Sequence, residues 1–555
     1  MDVSWAKDPP FRAIHQGKGM RECPMGISQK LCYYQNKMRR CEAPVRGWDD
    51  VNHEERERIM IRKGWMAWGG AALLGTLGLS GGMALAEGTT ATLTLCRDGT
   101  NGLCPTMPTD LNGHPPMIGY IPNTNAGKGM AFSQSYVDYF GWQAFVALNW
   151  PADAQGKPLS GATIVSDTTA PRVWASYPTK EDVFGSSADQ KAAEAICGKT
   201  DGKLLLQRTG KFDSAEFLEA FTPYPLIDKA GNFVLYDVRL NQVDVDYLKT
   251  NGLLTEAGQK AFGKPYDFTA GTGEAMGSLE MKTSWRILPD QAEWGRYYTT
   301  DAKVAIPGAS TIDGKDLCLD TKVGLVGMHI MQKFSTPSEF SEYWSWATFE
   351  HVDNAPLADK APVSQTDGAS TMPNLDPPAC ALAANPADTT DYAFYDAACT
   401  DGGVACAVNA PPKAAEGIDG YKWAASAPYA APYLMDKTFG TQVARCWAVY
   451  DSAKQVSAAY QKALEGSVWA NYTLIGAQWA SQSSTGSGPL VALHPYAAPI
   501  YLANTTMETY VQINPVMKTK GDDDYAPGSC IACHVMATDK AGNNANFSFL
   551  PYDVK

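Results

Sequence analysis

Cys530-Ile531-Ala532-Cys533-His534 is the stretch whose residue types imply a chemistry most directly. Two thiols three positions apart, followed at once by an imidazole, have the spacing for covalent haem c attachment. Each sulfur can form a thioether with a haem vinyl group, and the histidine can ligate the iron. Two plainer readings compete. A structural disulfide or a thioredoxin-like redox pair uses Cys-x-x-Cys without needing the histidine. A structural zinc site wants a second pair of ligands at similar spacing, and the sequence holds no other Cys-x-x-Cys.

His534 supplies one axial position of such an iron, and the other decides the chemistry. A methionine there raises the reduction potential, a histidine lowers it, and an empty position admits a small ligand. Only 21 residues follow the motif and Met536 is too near in sequence to reach the opposite face, so a second ligand is expected from upstream. The histidines available are His114, His329, His351 and His494. His114 sits in a Pro-rich loop and His494 precedes Pro495, whereas His329 lies inside the clearest strand pattern. His329 is therefore the first distal candidate, followed by Met517 and Met507. For each histidine the plain alternative is a side chain satisfied by backbone or carboxylate.

The elements that must position these residues can be read from periodicity. Large residues at Tyr139, Trp142, Phe145, Val146 and Trp150 recur at helical spacing after Ser133 or Ser135, and Pro151 closes the run as a buried core helix. A further helix is expected to start at Pro178. Residues 233–240 alternate as a strand, and 243–262 turn helical. Ser278–Leu288 reads as extended. Lys322–Phe334 and Tyr343–Asp353, joined by a polar turn near Thr336-Pro337-Ser338, read as an antiparallel pair at the centre of a sheet. Period two places Leu325, His329, Met331 and Lys333 on one face, and Val326, Met328, Ile330 and Phe334 on the other. Ser452–Leu464 reads as a helix stopped by Gly466, and Trp469–Trp479 as a strand. Asn504 or Thr505 is expected to cap another helix, with Thr505-Thr506-Met507-Glu508 at capping-box spacing, and Phe547 and Phe549 alternate like a last strand.

Composition bounds the rest. With 45% hydrophobic and 19% charged residues in 555, the chain is an ordinary globular protein. Its net charge of −13 argues against a nucleic-acid partner. Residues 64–86 carry no charge, follow Arg62-Lys63 and end in Ala84-Leu85-Ala86, the pattern of a secretory leader cleaved after Ala86 or, if uncleaved, a membrane anchor. Met60 would begin a leader of ordinary length, so residues 1–59, with Cys23, Cys32 and Cys41, are set aside from the fold. After Ala86 the motif claims two of ten cysteines. Cys96, Cys104, Cys197, Cys318, Cys380, Cys399, Cys406 and Cys446 remain, an even number that suggests up to four disulfides in an oxidising compartment.

Two resemblances follow. Phe145-Val146-Ala147-Leu148-Asn149-Trp150-Pro151, Gly327-Met328-His329, residues 346–356 and the Cys530–His534 motif together resemble a group of large exported bacterial cytochrome c family proteins, over most of residues 130–555. That resemblance implies haem c and no reaction. More locally, the motif followed by Phe-x-Phe is similar to the cytochrome c-prime-beta proteins and their lysine-cross-linked, hydroxylamine-oxidising relatives. This second resemblance implies a sheet-rich fold, a five-coordinate iron open to small ligands, and Lys333 as a candidate cross-linker.

The expectation is an α+β fold, with an antiparallel sheet core, packed helices and one covalent haem c near the C-terminal segment. Residues 60–86 are a leader or anchor, 87–352 the first part of the main domain, 353–420 a loop-rich insertion, and 421–555 the part carrying the motif. The expected function is single-electron transfer by an exported, periplasmic mono-haem protein with a redox partner protein. The alternative is an oxidoreductase or small-ligand binder acting on a small-molecule substrate at open iron. Cys530, Cys533 and His534 hold the cofactor, with His329 the distal candidate, and a membrane is involved only if the leader stays attached.

Overall fold

The computed structural model describes residues 103–109 and most of 134–554; the longest stretches within that span outside the description are 208–223, 336–341, which holds the expected polar turn, 364–379, 381–390, 400–405, 412–420, 432–441, 483–490, 493–498 and 513–529. The expected leader, Cys96, His114, His494, Met517, Met536 and most of the 353–420 insertion lie outside the described residues.

In chain order, α1 (Gln134–Leu148), α2 (Lys180–Phe184) and α3 (Ser187–Cys197) precede β1 (Leu204–Gln207) and β2 (Leu235–Leu240). Then α4 (Gln242–Thr250) and α5 (Glu256–Phe262) lead into β3 (Leu279–Ile287), β4 (Thr299–Ile306), β5 (Leu317–Ser335) and β6 (Glu342–His351). A small ribbon of β7 (Lys422–Trp423) and β8 (Ala430–Ala431) is followed by α6 (Asp451–Ala463), β9 (Tyr472–Gln482), β10 (Val491–Ala492) and α7 (Cys530–His534). Every strand except β7 and β8 belongs to one eight-stranded sheet, and the fold is α+β.

Strand β5 is the axis of that sheet. Its 19 residues are long enough for β4 to pair along one edge of its first half and β6 along the same edge of its second half, while β3 pairs on the other edge and overlaps both. β9 continues beyond β6, and β2 beyond β3, all antiparallel; β1 joins β4 in parallel. The antiparallel pair expected at the centre is present.

The face assignment along β5 needs a correction. Ser284 pairs with Gly327 and Trp285 with Leu325, so Val326 is an extra residue, a β-bulge. Alternation changes phase there. Leu325 joins Met328, Ile330 and Phe334 in the main core, while Val326 packs with Tyr236 and Met507 in another cluster. Beyond the bulge the reading holds, with Met331 on the opposite face from Met328.

Each face of the sheet is covered differently. On one, α1 and α6 pack over Ala347, Phe349, Leu474 and Ala477, with Trp142 stacked on Tyr460 at 4.8 Å between ring centroids. Burial of α1 on nearly all sides explains why its pattern is apolar almost all round. On the other face, α4, α5 and residues 530–554 cover Leu240, Met331, Trp344, Trp346 and Ala480. Gln259 of α5 pins this last segment, donating to the Pro551 carbonyl at 2.7 Å and accepting from the Lys540 N–H at 3.0 Å.

Within α1, Asp138 is fully buried and accepts from Tyr450, from Ser452 at 2.7 Å and from Gln134 at 3.1 Å. Burial outweighs these donors and pushes its carboxyl up to about 7. A folded-state value above the ordinary one means this group's contribution is full below about pH 4 and lost as pH rises through about 7. Replacing Asp138 with Asn is therefore expected to remove on the order of 2–4 kcal/mol of pH-dependent stability across that window. Urea unfolding at several pH values checks this; a variant with an unchanged pH profile would contradict it.

Cys197–Cys318, Cys380–Cys446 and Cys399–Cys406 are disulfides, and Cys104 is also disulfide-bonded. Among the described residues no helix is long and apolar enough to cross a membrane.

Candidate functional site

Cys530, Cys533 and His534 occupy α7, a single short turn laid over β9, where the Gln478 side chain accepts from the Ile531 N–H at 3.2 Å. Helical spacing brings residues three apart onto the same side, so both thiols share one flank of the turn. Neither is in a disulfide, in a chain whose other described cysteines are oxidised. Burial pushes the Cys533 thiol up to about 12, and the Glu508 carboxylate adds to this. Cys530 is raised further by burial, Glu508 and Cys533. Reactive redox thiols and metal thiolates need the opposite arrangement, a cationic environment that lowers the value. Burial therefore holds these sulfurs as neutral thiols.

The histidine is fixed through its other nitrogen. His534 Nδ1 donates to the Phe547 carbonyl at 2.6 Å, since a carbonyl can only accept, and Nε2 is left as the free lone pair. Burial chiefly, with nearby His329 and Lys282 contributing, brings its imidazole down to about 4, so it is neutral at physiological pH. Trp346 and Phe549 flank the ring at 5.7 and 5.2 Å.

That carbonyl is delivered by a distorted turn rather than by the last strand expected from Phe547 and Phe549. Asn546 and Phe547 both have left-handed backbone, φ 51° and 71°, which an extended strand cannot contain. Such geometry in a residue as bulky as Phe costs roughly 1–3 kcal/mol and must be imposed by its surroundings. Here Trp344 Nε1 donates to Asn546 Oδ1 at 2.5 Å, and Phe547 is packed edge-on to Trp346 at 5.2 Å.

His329 is on β5, paired with Lys282 of β3 and Thr348 of β6. Its Nε2 lies 3.3 Å from Glu508 Oε1, an ion-pair distance without well-directed hydrogen-bond geometry. Burial works to raise Glu508, but His329, Lys282 and the Asn504 N–H outweigh it and hold the carboxyl below its ordinary value. His329, Glu508 and Lys282 thus lie together within electrostatic reach of His534, and Glu508 reaches both thiols.

Other candidates resolve differently. Met507 is core, packed with Val326 and Tyr236. His351 is satisfied structurally: Nε2 meets the Arg296 carbonyl at 2.9 Å, Nδ1 accepts from the Asp353 N–H at 3.1 Å, and the ring stacks on Tyr297. Lys333 is buried with its three protons directed to Asp267, Glu342 and the Phe268 carbonyl, so it is not poised as a cross-linker. The helix expected after Thr505 is only a turn and a 3-10 segment at Thr509–Val511. Asn504 rather than Thr505 takes the cap, its N–H bonded to Glu508 Oε2 at 2.8 Å, and this aims the other Glu508 oxygen at His329. Capping spacing pointed to Glu508 as a cap, which it is for the Asn504 N–H, but gave no hint that its other oxygen faces His329, and the Phe547 carbonyl, a backbone acceptor, has no sequence signal.

Comparison with protein-family models, with curated proteins and with solved structures finds no match to this chain.

Proposed function

We propose that the protein is an exported mono-haem c redox protein, attached through Cys530 and Cys533 and ligated by His534, that passes single electrons to a redox partner. The observation that carries this reading is the state of the motif's own groups. Two neutral thiols sit beside an imidazole that is neutral, oriented by the Phe547 carbonyl and free at Nε2. The group would supply one-electron chemistry between ferrous and ferric iron. Trp346 and Phe549 pack against the half-buried imidazole, and the Phe547 carbonyl keeps the hydrogen on Nδ1 and raises the basicity of Nε2. Disulfides elsewhere in the chain fit an oxidising, periplasmic location.

A second reading is an oxidoreductase or small-ligand binder with five-coordinate iron. One observation favours it: Nε2 of His329 faces Glu508, which competes with its service as a distal ligand.

The test is the full chain, produced in a host that installs haem c and exports it. A red protein with the covalent mass of one haem supports the proposal; a colourless protein of apo mass overturns it. Low-spin iron indifferent to cyanide and nitric oxide then supports electron transfer, whereas high-spin iron that binds them supports the second reading.

A further inference from the structure

Two buried carboxyls on the sheet face that bears the motif have no cation bonded to them. Asp244 of α4 is fully buried and Glu280 of β3 nearly so. They lie within hydrogen-bonding reach of each other, Ser548 bonds Glu280, and Ser278 approaches Asp244. Even so, both Asp244 oxygens, Glu280 Oε1 and the Ser278 hydroxyl lack a donor or acceptor in good geometry. The other buried acids of the sheet are matched: Asp228 by Arg286, Asp237 by Arg239, Glu350 by Arg445.

Two ionised carboxylates cannot share so small a dry space, so a proton must lie between them, donated by one carboxyl to the other. Burial raises both, Glu280 to about 7 and Asp244 well above the ordinary range. A hard cation is the other way to neutralise them. Calcium asks for about six to eight oxygens and magnesium for a near-ideal octahedron that usually keeps several waters. The few side-chain oxygens here suit a proton better.

The pair is also connected to the motif. Ser548, bonded to Glu280, directly follows Phe547, whose carbonyl holds His534. Lys282, two residues along β3 from Glu280, interacts electrostatically with His534. The charged and titratable groups on the surrounding elements include Asp246, Tyr247 and Lys249 on α4, Asp237 and Arg239 on β2, Lys282 on β3, His329 and Lys333 on β5, and Asp539, Lys540 and Asp553 in the C-terminal segment. Several have partners of their own: Lys282 lies over the Tyr236 ring, His329 faces Glu508, Lys333 is bound by Asp267 and Glu342, and Asp539 accepts from Tyr266.

We propose that Asp244 and Glu280 form a redox-linked proton site, which takes one proton from solvent when an external one-electron donor reduces the protein and returns it on reoxidation. This rests on the haem reading above. One electron and one proton enter together, so the buried face gains no net charge.

The test is a reduction-potential titration of the full haem-loaded chain, with haem content fixed on the same sample by its pyridine spectrum and mass. The reduction equilibrium constant of the wild type is expected to fall about tenfold for each pH unit between about pH 6 and about pH 8, or ~59 mV per unit for a one-electron couple. Glu280→Gln and Asp244→Asn should each cut that to under about twofold. Should either variant fail to fold, the reduced-minus-oxidised infrared spectrum of the wild type reads the same event as a gain in protonated carboxyl. A flat wild-type profile, variants with unchanged slope, no carboxyl gain, or one stoichiometric divalent ion in metal analysis would each overturn the proton site while the haem reading stands. Absence of haem from the sample overturns both.

Discussion

Replacing both Cys530 and Cys533 with Ala is expected to abolish the covalent haem mass and leave a chain that still folds. On the proposed reading the two thiols are the whole of the covalent tether, so the loss is all-or-none. A single replacement leaves one thioether and a haem that is still retained under denaturing conditions, with a shifted pyridine spectrum. The fold should survive because α7 is one turn on a sheet built elsewhere, and trimming a buried thiol to a methyl group costs on the order of 1 kcal/mol. Replacing His534 with Ala should keep the covalent mass and alter the spectrum, since it removes the ligand without touching the tether. Mass spectrometry of the denatured protein, set beside its visible spectrum, separates these outcomes. A double variant that still carried haem mass would sink the assignment of the motif.

The largest expected loss of stability lies away from the motif, at Arg445. Glu350, fully buried on β6, receives two parallel bonds from Arg445, with Nη1 at 3.0 Å and Nη2 at 2.5 Å. Its remaining lone pairs accept from the Thr505 N–H at 2.7 Å and from the Thr505 hydroxyl. Arg445→Ala strands a carboxylate in the interior and should cost about 3–5 kcal/mol, read as a fall in the urea midpoint. Adding Glu350→Gln to that variant should recover part of the loss, because the neutral amide needs no counter-charge. If the double variant proved no better than the single, the charge argument would fail and lost packing would explain the effect. There is a functional link too: Thr505 sits three residues before Glu508, so a loosened Glu350 also releases the carboxylate that faces His329.

Strong periodicity made much of this fold legible. The helix around Trp142, the extended runs in β3, β5 and β6, and the helix carrying Val456 and Tyr460 all follow from side-chain spacing, because one face or the whole surface of each element is buried. Other features turned on information that spacing does not carry. The bulge at Val326 depends on how β3 pairs with β5, a relation between segments some forty residues apart. The turn at Asn546–Phe547 adopts a conformation that an alternating Phe-x-Phe pattern argues against, and Trp344 and the segment's own packing impose it. For the motif, identity and spacing gave the proposed tether and the proposed ligand. They could not give the acceptor that orients His534, since that acceptor is a peptide carbonyl.

A strand that shifts phase once is sensitive to length in a way that it is not to composition. The residues of β5 after Val326 present Met328, Ile330 and Phe334 to one side and His329, Met331 and Lys333 to the other. Loss or gain of a single residue at that step would exchange the two sets, driving an ammonium and an imidazole among aromatic rings and turning three apolar side chains toward the groups around Glu508. Point changes along this stretch can be absorbed one side chain at a time. A change in residue count cannot, so the distance along the chain from Val326 to Ser335 is itself part of what specifies the site.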